Sequence, residues 1–282
     1  MKSLIAMALS LAFCLSTSTS FASADEDFTV KPGSSVEKLQ KAERIRVGVK
    51  FDQPLFGLRN LSGKPVGFDV EIAKLIAGKL GFSDDRIDWI ETSSANREPF
   101  LQQGKVDFVV ATYAMNEKRR KVIDFAGPYI VGGQGLLVLK GNVSSFNGPE
   151  DLAGKKACVI NGSEGQSVLA SKYPKAEIVP FDVISKCVEA LKNGSVDAVV
   201  TTNLIEAGLV SRSPDDLALA GSPFTTEPWG VGLPKSDGEL CRFVSHALTA
   251  SAHDGTYKAI YGKTLEKILG GNGALPELEP CR

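Results

Sequence analysis

Basic residues stand close to the ends of predicted strands in the first half of the chain. Lys50 ends the run of residues 44–50, Arg97 precedes the helix that leads to a second strand, and Arg119 follows that strand. A guanidinium group binds a carboxylate through two parallel hydrogen bonds, so two arginines and a lysine around one cleft would suit a ligand with two carboxylates. Taken alone, each arginine is also typical of a solvated surface charge.

A second feature that could bind an anion is the loop of residues 161–165, Asn-Gly-Ser-Glu-Gly. This loop follows a predicted strand and opens a predicted helix. The first N–H groups of a helix have no partner inside the helix, and the helix dipole favours negative charge there. The loop could therefore hold one more carboxylate.

Signatures of hydrolytic, nucleotide-binding and redox enzymes are missing from the sequence. It contains no G-x-S-x-G, no P-loop and no G-x-G-x-x-G after a strand. The two histidines, His246 and His253, lie seven residues apart on one predicted helix with no acid at helical spacing between them, so a surface pair is expected rather than a metal site. We expect no cofactor, no metal and no enzymatic activity.

An internal repeat indicates how the candidate residues are positioned. Residues 100–112 read FLQQGKVDFVVAT, residues 190–202 read ALKNGSVDAVVTT, and seven of the thirteen positions are identical. Each copy reads as the end of a helix, a Gly stop and a buried strand, which is half of a βαβ unit. Two such units predict two similar α/β lobes with a cleft between Thr112 and Thr202. Chance is the alternative, because helix–Gly–strand sequences are common.

Local patterns predict further elements around the cleft. The alternating apolar residues of 44–50 indicate a strand. Asp69 is expected to cap a helix over residues 70–80, with Ile72 and Ile76 on its apolar face, and Asn116 is expected to cap a short basic helix over residues 117–122.

Two extended segments are predicted to cross between the lobes, at residues 132–139 and 228–233. Lobe 1 would then comprise residues 41–134 and 231–282, and lobe 2 residues 135–230. Two crossings of this kind make a hinge that bends at a few residues.

The N-terminus has the pattern of a secretory signal peptide. Lys2 precedes an apolar run over residues 4–15, and residues 22–24 read Ala-Ser-Ala, so cleavage is expected after Ala24, with a loose leader over residues 25–40. Losing Lys2 leaves 31 basic and 33 acidic residues, a formal charge of −2 that gives no reason to expect nucleic acid or an anionic membrane as partner. We expect a monomer that is exported to the periplasm or the outer face of the membrane.

Four cysteines follow the leader, and an even number in an exported chain predicts two disulfides. Three pairings are possible. Cys158–Cys187 with Cys241–Cys281 closes loops within each region, whereas the mixed pairings would oppose opening between the lobes. The spacings lack a C-x₂-C pair, which argues against zinc.

Over nearly all of its exported length the chain resembles bacterial extracellular solute-binding proteins of family 3, the amino-acid receptors of ABC importers, and within them the branch that binds glutamate and aspartate. The resemblance rests on residues 47–54, 67–73, 96–99, 100–112, 124–129 and 227–231. Both cysteine pairs also match that branch. The resemblance implies an α/β, two-lobed periplasmic-binding-protein-like fold with two crossing hinge strands.

The resemblance also implies roles for individual residues. Arg119 would bind the α-carboxylate of the ligand, and Arg97 would bind an acidic side chain. Four further residues would contact the ligand: Lys50 and Thr112 from the first lobe, Gly162 and Ser163 from the second.

Three positions depart from the family pattern. The family holds the ligand ammonium with a hydroxyl and a second-lobe carboxylate, where this chain has Ala114 and Thr202. Where the family has a Gly-Thr-Thr turn, this chain has Glu164 at the third position. Because a buried ammonium without a carboxylate costs several kcal/mol, either Glu164 supplies the negative charge or the ligand has no free α-ammonium. Glu164 would alternatively only stabilise a helix N-terminus.

The sequence therefore predicts an exported receptor that delivers a small acidic amino acid, glutamate or aspartate and possibly glutamine, to an ABC permease. The first alternative is a receptor for a dicarboxylate or an N-substituted amino acid. A secreted dehydratase or lyase on the same fold is an alternative of another class, for which Glu164 is the only candidate acid or base. A ligand-sensing partner of a membrane signalling protein would have the same sequence features.

Overall fold

The computed structural model describes residues 28–282, and the predicted signal peptide lies outside this range. The strands are β1 Ile45–Val49, β2 Asp52–Gln53, β3 Gly57–Arg59, β4 Pro65–Val66, β5 Ile87–Glu91, β6 Phe108–Val109, β7 Asp124–Gly132, β8 Gln134–Leu139, β9 Lys156–Ile160, β10 Glu177–Phe181, β11 Ala198–Thr202, β12 Leu217–Ala220 and β13 Glu227–Leu233. The helices are α1 Ser35–Gln40, α2 Phe68–Lys79, α3 Arg97–Gln102, α4 Glu117–Arg120, α5 Glu164–Lys172, α6 Ile184–Lys192, α7 Asn203–Arg212, α8 Gly238–His253, α9 Thr256–Thr264 and α10 Glu266–Leu269.

These elements form two five-stranded sheets with matching architecture. The first sheet has the order β5-β1-β6-β13-β7, and the second has the order β10-β9-β11-β8-β12. In each sheet the three strands at one side are parallel, and the other two join them through antiparallel pairs. Strands β2, β3 and β4 form a small additional sheet. The predicted two-lobed α/β fold is confirmed.

The repeat corresponds to equivalent positions in the two sheets. Helix α3 leads to β6, which is parallel to β1, and helix α6 leads to β11, which is parallel to β9. Both strands are fully buried, as expected of central parallel strands covered on both faces. The repeat therefore reflects two copies of one structural unit rather than chance.

The chain passes between the sheets at two places. It leaves the first sheet between β7 and β8, where Gly133 alone separates the strands. It returns between β12 and β13. Residues 228–233, which the sequence pattern placed in the return crossing, lie instead within β13 and pair with β7 of the first sheet. The numerical lobe boundaries stay predictions.

Helix α2 packs against the first sheet through the predicted apolar face, since Ile72 and Ile76 are fully buried. The prediction that Asp69 caps this helix is wrong. Gly67 occupies the N-cap position without a side-chain hydrogen bond, and Asp69 lies in the first turn with its carboxylate buried. Asp69 accepts a hydrogen bond from the backbone N–H of Thr112 at 2.7 Å and another from the hydroxyl of Tyr129 at 3.0 Å.

Both predicted disulfides are present. Cys158 on β9 is bonded to Cys187 on α6, and Cys241 on α8 is bonded to Cys281 in the C-terminal tail. The tail lies on the first sheet, where the N–H of Glu279 donates to the carbonyl of Gly127 at 2.7 Å. Among residues 28–282, no helix combines the length and apolar character needed to cross a membrane.

Candidate ligand-binding site

A cavity lies between the two sheets, at the carboxyl ends of β6 and β11. Of the nine predicted ligand-binding residues, seven line it: Arg97, Thr112, Ala114, Arg119, Ser163, Glu164 and Thr202. Thr112 and Thr202, the last residues of the two repeats, therefore face one cavity. The other two predicted residues, Lys50 and Gly162, lie next to it.

Arg119 is the most highly bonded cation of the cavity. It is the third residue of α4, and the Oδ1 of the N-cap Asn116 accepts from its N–H at 2.8 Å, so Asn116 caps the helix as predicted. Its guanidinium is buried and contacts two carboxylates, with Nε 3.2 Å from Glu98 and Nη1 3.5 Å from Glu164. Nη1 also donates to the carbonyl of Ala114 at 2.7 Å. Arg119 thus already binds carboxylates in this conformation.

Arg97 is buried without a carboxylate partner. Its Nε donates to the carbonyl of Ser94, and its Nη1 donates to the carbonyls of Ala111 and Thr112 at 3.1 and 3.2 Å. The guanidinium carbon lies 4.1 Å from the centre of the Tyr113 ring, a cation–π contact. Within the described residues Arg97 forms no salt bridge. Burial, with the nearby charge of Arg119, lowers the pKa of Arg97 to about 10.

Lys50 extends the positive region beyond the cavity. Its side chain is buried, and its Nζ donates to the hydroxyl of Ser94 at 3.0 Å; Ser94 lines the cavity. Burial, and next the charge of Arg97, lower the pKa of Lys50 to about 7. An anion bound here would favour the protonated amine and raise this pKa.

Thr112 is held in an unusual backbone conformation by buried partners. Its φ is +46°, in the left-handed region that β-branched residues rarely adopt. The carboxylate of Asp69 accepts from its N–H, and its hydroxyl donates to Gln53 Oε1 at 2.9 Å. Burial raises the pKa of Asp69 to about 7, and the hydrogen bond from Thr112 opposes that rise. Thr112 is thus positioned at the cavity by an acid far away in sequence.

The loop of residues 161–165 approaches the first sheet from the other side. Ser163 is the N-cap of α5, and its hydroxyl accepts from the N–H of Gln166. The carbonyl of Gly162 accepts from Arg119 Nη2 at 3.2 Å. Glu164 accepts from Asn116 Nδ2 at 2.7 Å in addition to pairing with Arg119. The loop therefore closes the cleft through polar contacts to α4 and its N-cap residue.

Two residues at the hinge also line the cavity, although the sequence patterns did not single them out as ligand-binding residues. Glu227 at the start of β13 and Gln134 at the start of β8 are both buried there, and their side chains are hydrogen-bonded to each other. Glu227 belongs to a motif that carried the family resemblance, and Gln134 lies within the Gly-Gly-Gln-Gly crossing. Neither short pattern indicates on its own that the side chain faces a ligand.

No group of three or more side chains that could hold a metal ion occurs within residues 28–282.

The chain is similar in sequence to known proteins. Residues 45–267 match the family model described as bacterial extracellular solute-binding proteins, family 3. A Bacillus subtilis protein named ABC transporter glutamine-binding protein GlnH is 36% identical over 227 residues, which are 80% of this chain and 82% of that protein. A Corynebacterium glutamicum protein named glutamate-binding protein GluB is 34% identical over 231 residues, which are 78% of each protein.

Solved structures show the same architecture. The solute receptor for L-cysteine of Neisseria gonorrhoeae has a TM-score of 0.81 and 29% sequence identity, over 86% of this chain and 99% of that chain. An ancestral arginine-binding protein bound to glutamine has a TM-score of 0.75 and 36% identity, over 82% of this chain and 99% of that chain.

Proposed function

The chain belongs to the bacterial extracellular solute-binding proteins of family 3, and from this premise we propose that it is the extracytoplasmic receptor of an ABC importer for a small acidic amino acid. The observation that carries the proposal is the pair of buried guanidinium groups, Arg97 and Arg119, in the cavity between the two sheets. Two arginines in a cleft of low dielectric favour anionic ligands, and each can bind a carboxylate through two hydrogen bonds.

Arg119 is the proposed partner of the α-carboxylate. It already contacts Glu98 of α3 and Glu164 of α5 at salt-bridge distance, so carboxylates from both sides of the cavity reach its guanidinium. Glu164 is the first residue of α5, which follows β9 of the second sheet, and it lines the cavity. An entering α-carboxylate would displace Glu164 from Arg119, and the cost of that exchange is part of the binding free energy.

Arg97 and Lys50 are the proposed partners of the acidic side chain of the ligand. Neither forms a salt bridge within the described residues, although both are buried. Buried cations without an opposite charge beside them are costly, and a ligand carboxylate would reduce that cost. An amide side chain, as in glutamine, would gain less because it brings no charge.

Ligand contacts from both sheets would stabilise a closed conformation. Thr112 and Ala114 line the cavity from the first sheet, and Ser163 and Thr202 line it from the second. A ligand that touches both sides shifts the equilibrium toward the closed state by its differential affinity. A membrane permease that recognises the closed form would then receive only loaded receptors.

A dehydratase or lyase is the weaker alternative. One structural relative, at 30% identity and a TM-score of 0.75, is described as an ancestral amino-acid-binding protein and a precursor of cyclohexadienyl dehydratase. The candidate acid for such chemistry, Glu164, is paired here with Arg119 and Asn116. These contacts occupy the carboxylate that a dehydration or elimination would require.

Calorimetric titration with the twenty amino acids, cystine, 2-oxoglutarate and glutarate tests the ligand class. We expect tightest binding by glutamate or aspartate. Arg119→Ala and Arg97→Ala should each weaken it at least about tenfold, because losing a buried charge-assisted pair costs about 2–5 kcal/mol. Arg120→Ala is the matched control. Arg120 lies on the same helix but pairs with Glu279.

Unchanged affinity in both arginine variants would refute the carboxylate clamps. Tightest binding by a basic or an apolar amino acid would refute the acidic ligand while leaving the receptor function in place. Size-exclusion chromatography with light scattering tests the expected monomer, and cell fractionation tests the expected location outside the cytoplasmic membrane.

A further inference from the structure

Hydrogen-bond donors and acceptors gather around Glu227 at the hinge side of the cavity. Its carboxylate accepts from Gln134 Nε2, from Thr202 Oγ1 at 3.1 Å and from Trp229 Nε1 at 3.2 Å. Gln134 and Thr202 are direct partners in the pairing of β8 with β11, whereas Glu227 belongs to the first sheet. The cluster thus joins both sheets where the chain crosses between them.

The donors around Glu227 are all neutral. Within the described part of the chain Glu227 has no salt-bridge partner, and only 5% of the residue is exposed. Burial raises the pKa of its carboxyl group. A buried carboxylate gains most from a cation, because neutral donors offset only part of the cost of removing its charge from water.

Gln134 provides a second, independent sign of a missing partner. Its Oε1 is buried and has no hydrogen-bond partner within residues 28–282, although the side chain lines the cavity. The oxygen faces Gly165, where an added Cβ would lie only 2.6 Å away. Buried acceptors are nearly always paired, so an unpaired one at a cavity indicates a donor supplied by a ligand.

We propose that Glu227 and Gln134 form the site that binds the α-ammonium group of the amino acid. An ammonium group has three donors and one positive charge, which suits a carboxylate beside an unpaired amide oxygen. The cavity would then offer negative charge at the hinge and positive charge at Arg119, the charge separation of a zwitterion. This inference rests on the proposed amino-acid receptor function.

The neighbouring candidates for this role are less suitable. Glu164, which the sequence offered as one of several ways to account for the missing carboxylate at residue 202, pairs with Arg119 and Asn116. Ala114 offers no polar side chain. The hydroxyl of Thr202 donates to Glu227, so residue 202 supports the carboxylate of another strand instead of supplying one.

Calorimetry with ligand pairs that differ only in the α-amino group tests the assignment. The pairs are L-glutamate with glutarate and L-glutamine with glutaramate. Glu227→Gln should weaken binding of the amino acid at least about tenfold. It should change the affinity for the analogue without the α-amino group less than about threefold. Glu206→Gln is the matched control. Glu206 lies on α7, is fully buried and does not line the cavity. Glu206→Gln should therefore leave the ratio of the two affinities unchanged for each ligand pair.

A rescue variant separates recognition of the amine from support of the hinge. Combining Glu227→Gln with Thr202→Asp returns a carboxylate to the same place, because the two side chains are 3.1 Å apart. The preference for glutamate over glutarate should return to within about tenfold of that of the natural protein. If Glu227→Gln does not fold, the affinities of the natural protein for glutamate and glutarate still test the inference, because equal affinities would overturn it.

Several outcomes would overturn the inference while the receptor function survives. The natural protein could bind glutarate as tightly as glutamate, Glu227→Gln could weaken both equally, or the rescue variant could bind both alike. If no amino acid binds the natural protein at all, the proposed function itself is wrong.

Discussion

Replacing Gly162 should weaken ligand binding by preventing full closure of the cleft. Gly162 has a φ of +74°, and a Cβ at this position would lie 2.8 Å from the Cα of Ala95 across the cleft. Ordinary contact begins at about 3.4 Å, so Gly162→Ala must move the loop away by about 0.6 Å. The hydrogen bond from Arg119 to the carbonyl of Gly162, now 3.2 Å long, would then exceed hydrogen-bonding distance.

Losing a hydrogen bond to a charged group costs about 1.5–3 kcal/mol, which is about a 10- to 150-fold loss of affinity. Gly194→Ala is the matched control. Gly194 has the same φ of +74° but nothing within 4 Å of an added Cβ. Both variants should lose about 1–2 kcal/mol of stability from the left-handed backbone.

Calorimetry measures the affinity of each variant for the amino acid that binds the natural protein, and urea denaturation measures its free energy of unfolding. Only Gly162→Ala should bind more weakly than the natural protein. Equal affinities for the two variants would refute the steric argument, and they would show that the contact between Gly162 and Ala95 has no part in closure.

Three further predictions concern the buried side chains of Lys50 and Glu206 and the disulfide Cys241–Cys281. Because the pKa of Lys50 is about 7 and a bound carboxylate would raise it, affinity should be full below pH 7 and fall about tenfold per pH unit above it. Lys50→Met should flatten this slope in calorimetry between pH 7 and 8.5, and a parallel slope would contradict the assignment. Burial raises the pKa of Glu206 well above 4.5, so the free energy of unfolding should decrease as pH rises above 4.5. In urea denaturation, the free energy of unfolding of Glu206→Gln should decrease less with pH than that of the natural protein. The same pH dependence in both proteins would argue against a buried acid at this position. Replacing Cys241 and Cys281 by Ser opens a loop with a sequence separation of 40 and should cost about 4 kcal/mol. An unchanged thermal midpoint of unfolding would contradict this expected loss of stability.

Local sequence signals predicted the elements that depend on neighbouring residues. The N-cap Asn116 is confirmed, because a side-chain oxygen three residues before an unpaired N–H can form the cap from neighbouring residues alone. The repeat also predicted the two similar sheets, since each helix–Gly–strand unit is specified within thirteen residues. Arg97 and Arg119 both line the cavity, as their positions close to predicted strand ends suggested.

Asp69 shows where such reasoning fails. An acid just before a helical pattern usually caps the helix, but here the carboxylate turns inward to Thr112 and Tyr129. The N–H of Thr112 is 43 residues away in sequence, and no local pattern reports that it needs an acceptor. The tertiary contact outweighed the local preference because an unpaired buried N–H is costly.

The sequence by itself determined the fold class, the repeated units, the cysteines available for disulfides and the excess of cations near strand ends, because periodicity, turn residues and residue type are local properties. Only the tertiary structure decided which charges are paired. Glu164 reaches Arg119 across the cleft, and Glu227 meets Gln134 over a separation of 93 residues. Electrostatic partnership depends on distances of a few ångströms between segments remote in sequence, and folding alone sets those distances.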